Sequence, residues 1–145
     1  MVIERAVTAS PELVEALKRL IPQLTANNPP PEPEFLQMLL EGDSSFVLVA
    51  RQPDENGGIV GVGCLGTYRV PTGVRAIIED VVVDQGSRGL GAGEALMRGL
   101  MDLARQMGAR GVSLTSNPRR LAANRLYMRL GFSLRQTNGY YYEFK

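Results

Sequence analysis

Apolar and polar positions along the chain follow two rhythms. Short β-branched or apolar runs occur at Val2 to Val7, Ser45 to Ala50, Ile59 to Tyr68 and Arg75 to Val83, and such runs predict strands. Elsewhere apolar residues return every three or four positions. Leu13, Leu17, Leu20 and Ile21 predict a helix opened by Ser10-Pro11-Glu12, which reads as an N-cap, a proline at the first helical position and a first-turn acid. The run Asn27-Asn28-Pro29-Pro30-Pro31 cannot stay helical. A second helix is expected from Pro33 to about Glu41, with Phe35, Met38 and Leu39 on its apolar side. The polar loop 51–58 leads into the next strand through Asn56-Gly57, a pair that favours positive φ.

A third helix carries Ala92, Leu96, Leu100, Leu103 and Met107 on one face and stops at Gly108. Gly111 to Thr115 reads as a short strand, and Ser116-Asn117-Pro118 as a cap and proline opening a helix that ends at Gly131. The tail 132–145 reads as a hairpin around Asn138-Gly139. The predicted order is β-α-α-β-β-β-α-β-α-β-β, an α/β fold with about seven strands in a mixed sheet and about four helices. The early strands should run antiparallel, and the later portion should contain a right-handed crossover. A chain of 145 residues is expected to form one domain, 1–145.

Composition narrows the chemistry. A formal net charge of +1 gives no global field for nucleic acid or an anionic membrane. No apolar stretch is long enough for a bilayer, and the start has no apolar run behind a basic head, so no signal peptide is expected. The single cysteine, Cys64, excludes an internal disulfide and fits a reducing cytoplasm. In the glycine-rich strand around it, packing is the expected role. The absence of histidine removes Ser-His-Asp and Cys-His catalysis and, with one cysteine, the usual zinc sites. No metal is expected. Proton transfer falls to Glu, Asp, Tyr, Lys, Cys or water.

One stretch asks for an explanation: residues 83–100, VDQGSRGLGAGEALMRGL, crowd glycines between strand and helix. A tight turn alone would explain them. A Walker A loop is excluded because Glu94 and Ala95 follow Gly93, and G-x-G-x-x-G fails at Glu94. What remains is Arg88-Gly89-Leu90-Gly91-Ala92-Gly93 at a helix start. Helix N-termini carry unpaired N–H groups and a positive dipole end, and glycine lets an anion reach them. Arg88 adds a planar cationic fork. Glu94 opposes an anion unless it points away.

The segment 78–97, IEDVVVDQGSRGLGAGEALM, resembles the acetyl-coenzyme A motif of the GCN5-related N-acetyltransferase (GNAT) family. A second segment, 122–132, AANRLYMRLGF, is similar to that family's helix leading into Leu-Gly-Phe. The resemblance implies a GNAT fold with splayed middle strands and acetyl-CoA as cosubstrate. Pantetheine would lie along Val81, Val82 and Val83. The pyrophosphate would sit on the amides of Arg88, Gly89, Leu90, Gly91, Ala92, Gly93 and Glu94. Asn117 and Asn124 match cofactor-contacting positions, although Asn117 serves equally as a helix cap.

The implied reaction is acyl transfer to a primary amine, on a small molecule or a peptide. Glu79 is the favoured base, directly or through water. Alternation puts Glu79 and Asp80 on opposite faces, and Asp80 is the other choice. Tyr127 would act as acid to the CoA thiolate, or else be ordinary core. A backbone N–H of Val81 or Val82 would face the oxyanion. The first two helices and their loop, with Glu32 and Glu34, would line the acceptor site, unless those acids belong to a solvated loop. The family often forms homodimers. The alternative function is a non-catalytic acyl-CoA sensor or interaction module on the same fold.

Overall fold

The computed structural model describes residues 1–145 as two compact units, Met1–Thr115 and Ser116–Lys145. The first is built on a four-stranded sheet in the order β1-β2-β3-β4. Its strands are β1 (Val2–Ala6), β2 (Ser45–Gln52), β3 (Gly58–Val70) and β4 (Gly73–Val83), all paired antiparallel. Helices α1 (Pro11–Leu24) and α2 (Pro33–Glu41) lie between β1 and β2, and α3 (Ala92–Gln106) follows β4. Ser10 caps α1 as expected, its Oγ accepting from the Leu13 N–H at 3.2 Å.

One face of the sheet supplies Val47, Val49, Ile59, Val62 and Val82 to a core shared with Leu13, Leu17, Leu20 and Ile21 of α1 and Leu36 and Leu40 of α2. The other face receives α3 through Ala92, Leu96, Met97, Leu100 and Ala104. Gly63 permits that approach: a Cβ there would stand 2.8 Å from Leu100 Cδ1. Leu20, Leu65, Leu96 and Leu100 are wholly excluded from solvent. Truncating any of them to alanine should cost about 2–5 kcal/mol.

Several expectations change. Phe35 and Met38 are exposed, and the buried row of α2 is Leu36 and Leu40. A nine-residue helix with apolar residues on several faces leaves periodicity unable to choose among them. In α3 the i, i+4 row continues to Ala104, so Leu103 is half-buried and Met107 exposed. Neither Asn56 nor Gly57 has positive φ; an Asx turn, with Asn56 N–H donating to Asp54 Oδ1 at 2.9 Å, closes that loop instead.

The sheet has four antiparallel strands, where about seven in a mixed sheet were expected. Residues 111–115 contribute one parallel bridge, Ile77 to Ser113, with Ile78 N–H to Ser113 O at 2.9 Å and Ser113 N–H to Ala76 O at 3.1 Å. A segment of five residues opening on Gly111 holds one such bridge and no ladder. The hairpin around Asn138-Gly139 does not form; residues 132–145 have no strand, and Tyr140, Tyr141 and Tyr142 are all exposed. An isolated two-stranded hairpin is marginal in water, and the 30-residue second unit has only α4 (Leu121–Arg129) as a regular element.

Candidate functional site

Strand β4 ends the sheet, and its outer side is bridged only at Ile77, so the backbone from Glu79 to Val83 lies along an edge without a ladder. The strand is also bulged there. Val62 pairs with Val82 and Cys64 with Glu79, leaving Gly63 opposite both Asp80 and Val81. Asp80 takes the extra residue's bend with φ of 53°, a left-handed conformation that aspartate tolerates better than most residues.

The bulge corrects the alternation argument. Directly paired residues share a face, and Cys64 and Val62 are two apart, so Glu79 shares its face with Val82 rather than Val81. That is the face covered by α1 and α2, where Cys64 packs on the core. Glu79 and Asp80 are both exposed. Partial burial, and then the neighbouring Asp80 charge, raise the Glu79 carboxyl above its ordinary value. Cys64 is pushed up to about 11 by burial and then by Asp80 and Glu79. It is therefore a neutral packing thiol at physiological pH.

Beyond Val83 the chain makes a 3-10 turn, Gln85–Ser87, and enters α3 through the glycines. Gly89 and Gly91 have φ of 81° and 88°, and Gly91 is the N-cap of α3. The turn reading holds, and the same left-handed residues that reverse the chain lead into the start of α3. The first intrahelical bond is Ala95 N–H to Gly91 O at 3.0 Å, so the N–H groups of Ala92 and Gly93 have no intrahelical acceptor. Around Gly89 nothing would touch an added Cβ, and Leu90 is exposed. Arg88 turns back onto the strand end, with Nε donating to Val83 O at 3.2 Å. Glu94 points along the helix to Arg98, accepting at 2.9 and 3.2 Å, as the anion reading requires.

The base of this loop is held from α1. Gln23 Oε1 accepts the Gln85 N–H at 2.8 Å, and its Nε2 donates to Asp84 Oδ1 at 3.3 Å. Arg19 Nε pairs with Asp84 Oδ2 at 3.0 Å, and its Nη2 donates to Ile59 O at 2.5 Å. Residues this far apart in sequence leave no local signal, and the sequence reading missed both.

In the second unit, Asn117 is a turn residue: its Oδ1 accepts the Arg119 N–H at 2.9 Å, and Arg120 N–H donates to Asn117 O at 3.0 Å. The helix starts later than expected, at Leu121 with Arg120 as N-cap, because this Asx turn satisfies the amides ahead of it. Asn124 Nδ2 donates to Asn117 O at 3.1 Å, joining the two asparagines. Tyr127 is the buried residue of α4; Ala122 is exposed, and Leu126 and Leu130 only half-buried. At the helix end, Phe132 N–H donates to Tyr127 O at 3.0 Å and Gly131 N–H to Met128 O at 3.1 Å. With Gly131 at φ of 99°, this is a Schellman cap.

Known proteins resemble this chain in family and fold. The model of the Acetyltransferase (GNAT) family matches residues 12–132. A protein of Oryza sativa subsp. japonica named "Probable glucosamine 6-phosphate N-acetyltransferase 2" is 33% identical over 102 residues, 68% of this chain and 60% of that protein. The match thus spans less than two thirds of the rice protein. Among solved structures, an acetyltransferase of Trypanosoma brucei superposes with a TM-score of 0.75 at 26% identity, covering 98% of this chain and 100% of that one. An aminoglycoside acetyltransferase from an uncultured soil metagenomic sample, in complex with trehalose, superposes with a TM-score of 0.79 at 22% identity over 99% and 96% of the two chains. At that identity the likeness is one of fold.

Proposed function

The chain belongs to the Acetyltransferase (GNAT) family, and from that premise we propose that it transfers an acetyl group from acetyl-CoA to a primary amine. The observation that carries the proposal is the juncture of β4 and α3: an edge strand without a ladder runs directly into a left-handed glycine turn and a helix N-terminus. Such a juncture fits a ligand that carries amides at one end and a diphosphate at the other. The backbone of Val81, Val82 and Val83, which carries no ladder on its outer side, would pair with the pantetheine amides, which satisfies polar groups that are costly to bury alone. The amides from Arg88 to Glu94, with the dipole of α3, would hold the pyrophosphate. Asn117 and Asn124 are proposed as further cofactor-contacting residues on the family resemblance of their positions.

When bound, acetyl-CoA supplies an activated thioester carbon. An alkyl ammonium has a pKa of about 10, so the attacking amine must first lose a proton. Glu79 accepts it, directly or through water; its raised pKa makes it a better proton acceptor than an ordinary carboxylate. A backbone N–H of Val81 or Val82 would serve as the donor to the developing negative charge on the thioester oxygen. Tyr127 would supply the phenolic proton that the departing CoA thiolate takes up. The acceptor is a small-molecule amine, a class to which the named substrates of the rice and soil relatives belong.

Thiol release from acetyl-CoA across a panel of amines tests the assignment. Turnover by the wild type that falls 10²-fold or more in Tyr127→Phe, with CoA affinity retained, is the expected result; the factor is of the order known for general acids. Tight CoA binding without turnover on any amine would favour an acyl-CoA sensor instead.

A further inference from the structure

We infer that Gln23, in the last turn of α1, is a positioning residue for the cofactor loop, reaching the bound diphosphate through the backbone of Asp84 and Gln85. The inference rests on the reading of that loop given above. Gln23 uses both ends of its amide: Oε1 takes the Gln85 N–H at 2.8 Å, while Nε2 serves Asp84 Oδ1 at 3.3 Å and Arg19 O at 3.1 Å. Asp84 is in turn fixed on three sides. Its N–H donates to Val60 O at 2.7 Å, its carbonyl accepts Ser87 N–H at 2.8 Å, and its carboxylate meets Arg19. Burial opposes ionisation of Asp84, but hydrogen bonds from Gln23, Arg19 and the Gly86 N–H outweigh it and hold its pKa below the ordinary value.

The contrast along the loop gives this clamp its meaning. From Gly86 to Gly91 the chain is mostly exposed, and neither Gly86 nor Gly89 has a neighbour within reach of a Cβ. Between the last bond of β4 and the first bond of α3, side-chain anchoring reaches the turn from α1 at Asp84 and Gln85. A diphosphate needs several N–H groups aimed at one point, and glycines left free to wander would have to be ordered on binding. Gln23 removes part of that freedom in advance. Its own hydrogen bonds all go to the protein, at Arg19, Asp84 and Gln85, so its role is exerted through the loop.

The test uses Gln23→Met, which keeps length and helix preference but removes the hydrogen bonds to Asp84 and Gln85 along with the one to Arg19 O, with Lys18→Ala as a control on the exposed side of α1. CoA affinity is measured by calorimetry, and amide exchange of residues 84–91 in the free protein by mass spectrometry. The expected result is CoA binding about tenfold weaker, faster exchange across 84–91, and neither change in Lys18→Ala; tenfold corresponds to about 1.4 kcal/mol. In turnover assays KM for acetyl-CoA should rise while kcat holds. If the wild type binds CoA and Gln23→Met binds it as tightly, the positioning role is overturned even where the melting temperature falls. If the wild type does not bind CoA at all, the reading of the loop fails first, and this inference with it.

Discussion

The ring of Phe132 stands 6.0 Å from that of Tyr127, tilted by 60°, while its N–H donates to the Tyr127 carbonyl at 3.0 Å. The Leu-Gly-Phe segment is thus a helix cap with a specific hydrophobic contact. Gly131 supplies the left-handed turn, and Phe132 packs back over the third residue from the helix end. Because that residue is Tyr127, the cap also orients the proposed proton donor.

Gly131→Ala should destabilise the cap by about 1–2 kcal/mol, the cost of a Cβ at φ of 99°. Phe132→Ala should leave more of the helix intact but free the Tyr127 ring, lowering kcat well beyond Phe132→Leu. Urea unfolding separates the first effect, and thiol-release kinetics the second. Equal kcat for the two Phe132 variants would mean that the ring contact has no bearing on the chemistry.

Two glycines at the start of α3 should respond in opposite ways. Gly91 sits at φ of 88°, so Gly91→Ala is strained whatever binds there. Gly93 lies inside the helix without positive φ, and replacing an internal helical glycine gains about 0.5–1 kcal/mol. Gly93→Leu should therefore fold at least as well as the wild type while weakening CoA tenfold or more, because on the proposed reading its side chain would stand in the way of the diphosphate. A well-folded Gly93→Leu protein with undiminished CoA affinity would remove the ground for placing the diphosphate on these amides.

The pH profile should locate the base. Burial and then Asp80 hold the Glu79 carboxyl above its ordinary 4.5, so the acid limb of kcat/KM should lie above that value. The sign for stability follows the same shift. A carboxyl that binds its proton more tightly when folded costs stability as pH rises from 4.5 through the folded value. Glu79→Gln should abolish the limb along with most activity. Asp80→Asn removes the neighbouring charge yet tolerates φ of 53°, so its limb should move to lower pH. A limb unmoved by either substitution would assign the titration to another group.

What was legible in the chain divides along a physical line. Helix α1 announced itself through Ser10-Pro11-Glu12 and its leucine row, α2 began and ended at the expected Pro33 and Glu41, and Gly108 closed α3 with φ of 90°. All of these are decided within a few residues. The bulge at Asp80 depends on how β4 registers against β3, and no property of Glu79-Asp80-Val81 alone reveals it. The choice of Leu36 over Phe35 and the grip of Gln23 on Gln85 likewise depend on partners far away in sequence. Residues 111–115 and 132–145 have alternating or turn-forming sequences, yet a strand exists only where a neighbour accepts its hydrogen bonds.

A different part of the fold should fail first in acid. Arg51, with only 16% of its side chain exposed, ties together β1, α1 and the 53–57 loop: it donates to Glu4 at 2.5 Å, to both Glu12 oxygens at 2.6 and 3.0 Å, and to Gly57 O at 3.0 Å. The hydrogen bond from Arg51 holds the Glu12 carboxyl below its ordinary 4.5. A depressed carboxyl contributes stability that is complete above the unfolded value and is lost as pH falls through the folded one. Arg51→Lys keeps the charge but not the fork that grips Glu12 through two oxygens. With Glu12 half exposed, solvent screening limits the cost at pH 7 to about 1 kcal/mol or less. The cost should shrink as the pH falls below 4.5, because protonated Glu12 no longer rewards the arginine. Urea midpoints of the two proteins at pH 7 and pH 3 measure the difference. A penalty that stays constant across that range would trace the effect of Arg51 to its bond with the Gly57 carbonyl and to packing, rather than to the ion pair with Glu12.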